Sequence, residues 1–590
     1  MKEKFFSLAT AFVLLAITCA LLCTTARAQQ QTPPTDTSTE ATNGVISGTI
    51  VNERGEPMTG ATVFVRPIAV PNAGRTTAAD AEGRFRVTGL EPGLYIITGY
   101  SPAYVFQPPE FETSPHYYRV GDSARIEMIK GGVITGTVIN AAGEPIVGIR
   151  VRALRLRDPK GQVSRTPQFG QVERSTDDRG IYRIYGLAPG TYLVSAGGGS
   201  GNNSFQINPY ETDVPLYAPA STRDGATEYT VRSGEETTAD IRYRSDPGHI
   251  VSGTVKLSGA NSASIMLLPV EGGFMPAGST MQAPGARGFE IAGVGDGDYQ
   301  VVATEFPMNV GMATTMPDLS ISDARRITVK GADVSGIELV TRPASSLSGR
   351  LALEPSKAPE CQGKRKPLFA ETLIDLVRPE KDADSTPIYL RMMSGAVSPD
   401  PKGAFTFRNL APGRVRLNPN FHARFWYLQS ISIGAPATAT SARAATPKVD
   451  PAASWTTIKP GEKISDVTIT LAEGAASIRG RVPVAEGATI PAGTAVYLVP
   501  AETDKAADVL RYFLATVSAD GTFALNNLPP GRYWSVLQNP VQAELATIMK
   551  LRSPEAAETR IKLRRAAESQ KSDIELKPCQ TLTDYQLTFK

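Results

Sequence analysis

The sequence is poor in the residues that most often carry catalysis and metal binding. Its 590 residues include three histidines and four cysteines. His116, His249 and His422 lie far apart, and none begins the H-x-x-E pattern that supplies metal ligands in zinc peptidases. A G-x-S-x-G nucleophile turn and a phosphate-binding loop ending in Gly-Lys-Ser or Gly-Lys-Thr are also absent. We therefore expect no enzyme activity, no metal and no cofactor.

A strong charge of either sign is missing as well. Lys and Arg number 61 and Asp and Glu number 58, which gives a formal net charge of +3. This near balance gives no reason to expect nucleic acid as the partner. The many carboxylates leave a glycosidase-type pair open, although no pattern singles out one pair. An unrecognised hydrolase therefore stays as a minor alternative.

Long apolar runs are confined to the first residues of the chain. Lys2 and Lys4 precede the run FFSLATAFVLLAITCALLC, and the small residues of ARA end at Ala28. This arrangement predicts a signal peptide over residues 1–28, and a retained membrane anchor is the alternative. The mature protein would then be extracytoplasmic (periplasmic, on the outer surface or secreted), with no transmembrane segment. Residues 29–43 are polar and contain proline, which predicts a disordered linker.

Two cysteines remain once the leader is removed. They are Cys361 and Cys579, and an oxidising compartment favours their pairing. The sequence therefore predicts a disulfide between them, with two thiols as the alternative.

What the sequence does contain is one repeat that occurs five times. Each unit opens with alternating residues rich in Val, Ile and Thr, which predicts a strand with one buried face. The opening segments are GVISGTIVN from Gly44, GVITGTVIN from Gly132, HIVSGTVKL from His249, SSLSGRLAL from Ser345 and ASIRGRVPV from Ala476.

An acidic turn and a glycine-bracketed phrase follow in most units. The phrase is clearest as GLAPGTYLVSA from Gly186, with versions from Gly89, Gly293, Asn409 and Asn527. Its glycine suits a tight turn, and the aromatic residue after it is expected to point into a core. The predicted turn and core residues are Gly93, Tyr95, Gly190, Tyr192, Gly297, Tyr299, Gly413, Gly531 and Tyr533, with Val415 replacing the tyrosine in the fourth unit.

A closing strand, turn and strand complete each unit. In the last unit this element is expected in RIKLRRAAESQKSDIEL from Arg560, with a short helix possible near Ser553 and Pro554. About seven short strands per unit favour antiparallel β-sandwiches, and the whole chain is expected to be all-β. The predicted modules cover residues 44–130, 131–247, 248–343, 344–473 and 474–590, the last two with insertions.

The segments ITGTV, GEPIVGIRVRAL, DDRGIYRIYGLAPGTYLVSA and GEETTADIRY together resemble the carboxypeptidase regulatory-like domain. This family has a transthyretin-like (prealbumin-like) β-sandwich related to Cna B-type modules and to starch-binding-like folds. The resemblance implies an accessory, non-catalytic role outside the cytoplasm. Cna B-type modules can carry an isopeptide cross-link from a lysine, and Lys256 is the one lysine on an opening strand.

Aromatic residues outside the repeated core positions are the candidates for ligand binding. Exposed rings can stack on sugars or contact peptide, although rings can also fill sandwich ends or contacts between modules. The leading hypothesis is a scaffold for binding or adhesion to another envelope or surface protein, and the alternative is a polysaccharide-binding protein. The candidate residues are Tyr100, Tyr104, Phe106, Tyr117, Tyr118, Tyr217, Phe425, Trp426 and Tyr427.

Overall fold

A computed structural model describes the chain from residue 44 to residue 587, so the predicted signal peptide and linker lie outside the described residues. Within this span the structure describes all residues except 71–72, 107–116, 162–172, 199–208, 260, 271–275, 308–316, 365, 380–394, 435–450, 484–489, 492, 539–547 and 571.

The first sandwich shows the strand pairing that the later ones repeat. One sheet has the order β4-β1-β8-β6 and the other β3-β2-β5-β7, with the core between them. The opening strand pairs antiparallel with β4 and parallel with β8. The strands are β1 (Gly44–Asn52), β2 (Thr62–Pro67), β3 (Arg75–Ala78), β4 (Arg84–Leu90), β5 (Leu94–Tyr100), β6 (Tyr104–Phe106), β7 (Tyr117–Arg119) and β8 (Ser123–Lys130).

The second sandwich keeps this arrangement. Its opening strand β9 pairs antiparallel with β12 and parallel with β16 and β17, and β10 and β13 form the centre of the facing sheet. The strands are β9 (Gly132–Ile139), β10 (Arg150–Arg157), β11 (Glu173–Ser175), β12 (Ile181–Leu187), β13 (Gly190–Ala196), β14 (Leu216–Tyr217), β15 (Tyr229–Val231), β16 (Glu236–Thr238) and β17 (Ile241–Arg242).

In the third sandwich the two layers are joined at one edge. Strand β23 pairs with both β22 and β25, which links all the strands into one eight-stranded sheet. The strands are β18 (His249–Lys256), β19 (Ser262–Pro269), β20 (Gly278–Gln282), β21 (Gly288–Val294), β22 (Gly297–Phe306), β23 (Ser320–Ser322), β24 (Arg325–Val329) and β25 (Val334–Pro343). Lys256, the candidate for a cross-link, has an exposed side chain at the end of β18.

The fourth sandwich has the sheets β28-β26-β32-β30 and β27-β29-β31. Its core also takes in Val509 and Leu510, which follow its last strand by more than thirty residues in the chain. The strands are β26 (Ser345–Glu354), β27 (Thr372–Val377), β28 (Ala404–Leu410), β29 (Gly413–Phe421), β30 (Trp426–Ile433), β31 (Thr456–Ile458) and β32 (Lys463–Glu473).

The fifth sandwich has the sheets β36-β33-β39 and β35-β34-β37-β38. Its last strand pairs parallel with its opening strand, as in the other four. The strands are β33 (Ala476–Arg481), β34 (Ala495–Pro500), β35 (Phe513–Thr516), β36 (Thr522–Leu528), β37 (Gly531–Gln538), β38 (Asp573–Leu576) and β39 (Thr581–Gln586), and a short helix covers Ile548–Leu551.

The strand predicted from Arg560 is wrong. Residues Ala557–Gln570 form an α-helix, which a 3-10 turn at Pro554–Ala556 precedes, and the closing strands come later, at β38 and β39. The segment AETRIKLRRAAESQ is rich in Ala, Glu, Lys, Arg and Leu, which are strong helix formers. Its buried Leu563 and Ala567 lie four residues apart on one helix face and pack against the fifth sandwich.

The acidic turn is held by its own side chain. The Asp80 carboxylate accepts hydrogen bonds from the backbone N–H groups of Glu82 and Arg84, at 3.0 and 2.7 Å. Asp177 and Asp400 repeat the same pair of bonds. These backbone bonds lower the pKa of Asp80 and of Asp177, because they favour the ionised carboxylate. The aspartate side chain therefore stabilises the turn, as its position in the sequence predicts.

The glycine-bracketed phrase places a buried tyrosine on the next strand. In four sandwiches the hydroxyl donates to the main-chain oxygen four residues earlier, over 2.7–2.8 Å: Tyr95 to Glu91, Tyr192 to Ala188, Tyr299 to Gly295 and Tyr533 to Pro529. In the second sandwich the glycine before it has no room for a side chain. At Gly190, where φ is +152°, an added Cβ would lie 2.3 Å from the carbonyl oxygen of Arg157.

In the fourth sandwich a different residue donates to the corresponding main-chain carbonyl. Val415 is buried but has no hydroxyl. The guanidinium of Arg378 instead donates to the carbonyls of Ala411 (2.6 Å) and Pro412 (3.2 Å). Ala411 stands four residues before Val415, so an arginine from outside the phrase satisfies the carbonyl that a tyrosine satisfies elsewhere.

Strands therefore make up nearly all of the regular structure of the described residues, with short 3-10 turns between some strands and two α-helices near the end of the chain, and the prediction of tandem all-β sandwiches is confirmed. Within the described part of the chain, no helix is both long enough and apolar enough to cross a membrane.

Candidate functional site

The aromatic residues that we expected to bind a ligand are mostly covered. Tyr100 alone among the nine is exposed, at 57%. Tyr104, Phe106 and Tyr118 are half-buried and pack against the core of the first sandwich. Tyr217 lies half-buried on β14, and burial raises its pKa. These side chains fill spaces around the first two sandwiches and do not form a shared exposed face.

The three aromatic candidates of the fourth sandwich do not lie in an exposed loop. Trp426 is 3% exposed, and its ring lies 5.5 Å from that of Phe369. It begins strand β30, whose pairing with β32 turns it into the core, so its expected place on an exposed platform needs correction. Tyr427 is half-buried, which raises its pKa, and Phe425 is half-buried with the Lys364 Nζ 5.7 Å from its ring centre.

Tyr117 joins the first sandwich to the fourth. Its ring meets that of His422 edge-on, with the centroids 5.0 Å apart and the planes at 65°. Burial and the nearby charge of Asp375 raise the pKa of Tyr117. Strand β27 supplies Asp375 and strand β29 ends next to His422, so the fourth sandwich presents an imidazole and a carboxylate to one tyrosine.

The carboxylate in this contact is itself held in place. The Nδ2 group of Asn420 donates to Asp375, while burial raises the pKa of that carboxyl. A second contact involves the phrase of the first sandwich, since a Cβ added to Gly93 would lie 3.9 Å from the carbonyl oxygen of Ala370. Two sequence-distant sandwiches are thus in contact through aromatic and polar groups.

The fourth and fifth sandwiches are joined covalently. Cys361 and Cys579 form a disulfide between residues 218 positions apart. Cys361 ends a 3-10 turn after strand β26, and Cys579 lies in the turn between β38 and β39. The bond therefore connects an insertion of the fourth sandwich to the last hairpin of the fifth.

A buried arginine, Arg416, and a half-buried one, Arg552, meet at the same junction. Arg416 of β29 donates to the carbonyl oxygen of Arg552 over 2.6 Å and stacks on the ring of Trp455 at 5.1 Å. Trp455 in turn donates to Glu555 over 2.7 Å. Burial lowers the pKa of Arg416 and of Arg552 to about 10. A cationic and aromatic cluster thus packs segments of the two sandwiches together.

Glu305 is a buried carboxylate that we did not anticipate. It accepts from the backbone N–H of Ser258 (2.8 Å) and of Gly259 (2.9 Å), and from the side chains of Asn261 (3.0 Å) and Thr341 (2.5 Å). Burial alone would raise the pKa of Glu305, but the hydrogen bonds outweigh it and lower the pKa below its ordinary value.

A signal for Glu305 was available in the sequence. Val301 and Ala303 occupy alternate, inward positions of β22, and Glu305 is the next residue of that series. An acid at an inward position needs partners, which the first turn and the last strand of the third sandwich provide. The groups that contact the carboxylate are all hydrogen-bond donors. Glu305 therefore links three parts of the sandwich to one another.

The described part of the chain contains no candidate metal site. No three His, Cys, Asp or Glu side chains there are grouped as a metal site would require. His249 lies 3.2 Å from Asp296, a solvent-accessible pair, and His116 lies outside the described residues. What the arrangement does provide is a set of contacts that hold sandwiches against one another.

The family model described as the carboxypeptidase regulatory-like domain matches residues 45–109. No curated protein matches the chain. Among solved structures, the chain is similar to the Bacillus anthracis TIE protein, with 14% identity over 51% of each chain and a TM-score of 0.13, so the match spans about half of that protein.

Two pilins are among the other similar structures. GBS52, the minor pilin of Streptococcus agalactiae, has 13% identity over 35% of this chain and 97% of its own, with a TM-score of 0.19. A variant of BcpA, the major pilin subunit of Bacillus cereus, has 13% identity over 50% of this chain and 99% of its own, with a TM-score of 0.13. These values are too low to carry an argument about function. The family match, together with the strand pairing that four further sandwiches repeat, confirms the resemblance: the first sandwich is a carboxypeptidase regulatory-like domain.

Proposed function

We propose that the chain is a non-catalytic, extracytoplasmic scaffold whose sandwiches are fixed against each other and together present surfaces to another protein of the cell envelope. The observation that carries the proposal is the contact of Tyr117 with His422, since it uses a candidate ligand-binding ring to join two sandwiches. The disulfide between Cys361 and Cys579 and the arginine cluster around Trp455 add contacts of the same kind.

A scaffold of this kind needs rigid joints more than a cavity. Aromatic rings are well suited to such joints, because they bury a large area with few rotatable bonds. The edge-on geometry of Tyr117 and His422 adds a directional contact, which fixes orientation as well as distance. The fold would then hold binding surfaces at set separations, which favours simultaneous contacts with one large partner.

Two tyrosines of the first sandwich allow a controlled test. Tyr117→Ala removes the ring that meets His422, and Tyr100→Ala removes a ring of the same type that is exposed. Hydrogen–deuterium exchange of the purified mature protein should rise around residues 372–377 and 418–423 in Tyr117→Ala only. Equal exchange in the two variants and the parent protein would contradict the scaffold proposal.

A glycan array with the same three proteins tests the alternative. The scaffold account expects no polysaccharide to bind any of them. Binding that Tyr100→Ala abolishes, with exchange unchanged by Tyr117→Ala, would support a polysaccharide-binding protein instead. Turnover of a polymer that a single carboxylate substitution abolishes would contradict the non-catalytic part of the proposal.

The proposed location rests on the N-terminal leader and on the cysteine pair. A disulfide is stable in an oxidising compartment and uncommon in the cytosol. Protein isolated from its native cells under alkylating conditions should yield a peptide that joins Cys361 to Cys579, together with an N-terminus at residue 29. Two alkylated thiols and an intact Met1 would contradict an extracytoplasmic location.

A further inference from the structure

Each sandwich has a bulge at the end of the strand that precedes the glycine-bracketed phrase. There the pairing of the opening strand with β4, β12, β21, β28 or β36 shifts register, so one residue of that strand is extra. The extra residue has a positive φ of 56–72° and begins the glycine-bracketed phrase. These residues are Gly89, Gly186, Gly293, Asn409 and Asn527.

The bulge of each later sandwich lies against the sandwich before it. A Cβ added to Gly131, in the linker before the second sandwich, would lie 2.6 Å from the Cα of the bulged residue Gly186. A Cβ added to Gly293 would lie 2.5 Å from the carbonyl oxygen of Thr212. Main chain from the previous sandwich therefore leaves no room for a side chain at Gly293, whereas at Gly186 the close approach leaves no room for one at Gly131 in the linker.

In the fourth sandwich the bulged residue has an amide, which contacts the third sandwich. Asn409 Nδ2 donates to the carbonyl oxygen of Pro317 over 3.0 Å, and the backbone N–H of Leu319 donates to Asn409 Oδ1 over 2.9 Å. The adjacent Arg408 pairs with Asp318 at 2.6 Å, although both side chains are largely exposed. One buried amide thus satisfies a donor and an acceptor of the preceding main chain.

The fifth sandwich repeats this device with a different pairing. Asn527 Nδ2 donates to the carbonyl oxygens of Ala423 (2.8 Å), just before strand β30, and of Trp426 (2.7 Å), its first residue. In the third sandwich the contacted residues likewise come just before an added strand, β23. Strands β23 and β30 each pair with the last strand of their own sandwich, so the contacted segment is fixed within its sheet.

We propose that the bulged asparagine, Asn409 or Asn527, is a docking residue: it recognises the main chain that enters the added strand of the preceding sandwich, and so fixes the fourth sandwich on the third and the fifth on the fourth. The inference deepens the scaffold function proposed above and rests on it. Asn suits this position because it tolerates a positive φ and carries both a donor and an acceptor. Gly suits the closer approach seen at Gly293. Main-chain recognition explains why the contacted residues share no side-chain pattern.

The first sandwich provides the control. No sandwich precedes it in the described part of the chain, Gly89 is exposed, and the three atoms nearest to an added Cβ belong to the guanidinium of Arg75, a residue of the same sandwich. An amide at this position has no main chain of a preceding sandwich to recognise. Gly89→Asn should therefore have no effect on contacts between sandwiches.

Hydrogen–deuterium exchange at Leu319 tests the proposal in the full mature chain. Asn409→Gly keeps a residue that accepts a positive φ but removes the amide, so exchange of the Leu319 N–H should rise at least tenfold. Asn409→Asp retains an acceptor oxygen for that N–H, so it should restore most of the protection. Gly89→Asn serves as the matched control and should leave exchange at Leu319 unchanged.

Limited proteolysis of the same variants reports the joint as a whole. Asn409→Gly should speed cleavage between the third and fourth sandwiches, and Asn527→Gly should speed it between the fourth and fifth after reduction of the disulfide. Parent-like exchange at Leu319 in Asn409→Gly, or equal protection in Gly and Asp variants, would overturn the docking role. The scaffold proposal would fail separately, through the Tyr117→Ala result.

Discussion

In each sandwich a side chain donates a hydrogen bond to a carbonyl of the turn in the glycine-bracketed phrase. Tyrosine makes it in four sandwiches and Arg378 makes it in the fourth. The tyrosine ring lies in the core while its hydroxyl satisfies a carbonyl of the turn, so one residue links packing to turn geometry. The tyrosine contributes stability, and nothing ties it to ligand chemistry.

Tyr192→Phe should destabilise the second sandwich by about 1 kcal/mol, because the ring stays buried but the carbonyl of Ala188 loses its partner. Thermal unfolding of the mature protein measures the change. Tyr100→Phe, at an exposed position, is the control and should have no effect. An equal loss in both variants would contradict the role given to the turn bond.

Glu305 gives the third sandwich a dependence on pH. Hydrogen bonds lower its pKa in the folded state below the unfolded value of about 4.3, so the ionised form stabilises the fold at neutral pH. That stabilisation is complete above the unfolded pKa and is lost as the pH falls through the folded pKa. Glu305→Gln should cost about 1 to 3 kcal/mol at pH 7 and weaken the loss of stability below pH 4.

Chemical denaturation at pH 7 and at pH 3 measures this effect. Glu338→Gln, at an exposed position of β25, is the matched control and should behave as the parent protein at both values. If Glu305→Gln followed the parent protein at both pH values, the carboxylate would not act as the structural link that its hydrogen bonds suggest.

At this scale the sequence was a partial guide. The buried tyrosines and the aspartate turns follow from local patterns of alternation, proline and glycine. Arg378 could not be found in the same way, because it stands more than thirty residues before the carbonyls it satisfies. Asn420 and His422 lie near each other in sequence and Asp375 lies on another strand, 45 residues before Asn420. Their arrangement around Tyr117 depends on how two sandwiches meet, which no local pattern encodes.

At the scale of elements, the helix Ala557–Gln570 replaces a strand that the repeat led us to expect. Repetition favoured a closing strand, while the composition of the segment favoured a helix, and the helix formed because it also buries Leu563 and Ala567. The prediction from the repeat was wrong here because an insertion places the closing strands further along the chain. The closing strands themselves are present, as β38 and β39.

The helix should contribute to stability through its buried face alone. Leu563→Ala should destabilise the fifth sandwich by about 2 to 5 kcal/mol, since the side chain is 2% exposed and its removal leaves a cavity. Ile561→Ala, on the same helix but 52% exposed, is the matched control and should cost less than about 1 kcal/mol. Urea denaturation measures both, and similar losses would contradict the packing described.

At the scale of the whole molecule, the proposed function depends on the contacts between sandwiches more than on the residues inside each one. Predictions about single sandwiches could be made from the sequence because each repeats the same strand order. The contact between the first and fourth sandwiches could not, because tandem repeats suggest contacts between neighbours only. The sequence indicated which aromatic residues were candidates for ligand binding. It did not show that most of them are covered, either within one sandwich or between two.

The central claim is that the first and fourth sandwiches are held at one fixed distance. Spin labels introduced with unnatural amino acids at the exposed positions Arg54 and Lys402, one on each sandwich, allow this distance to be measured by pulsed electron paramagnetic resonance. The account predicts a single narrow distance distribution in the otherwise unchanged mature protein and a broad one when Tyr117→Ala is added. A broad distribution in the unchanged protein would contradict it.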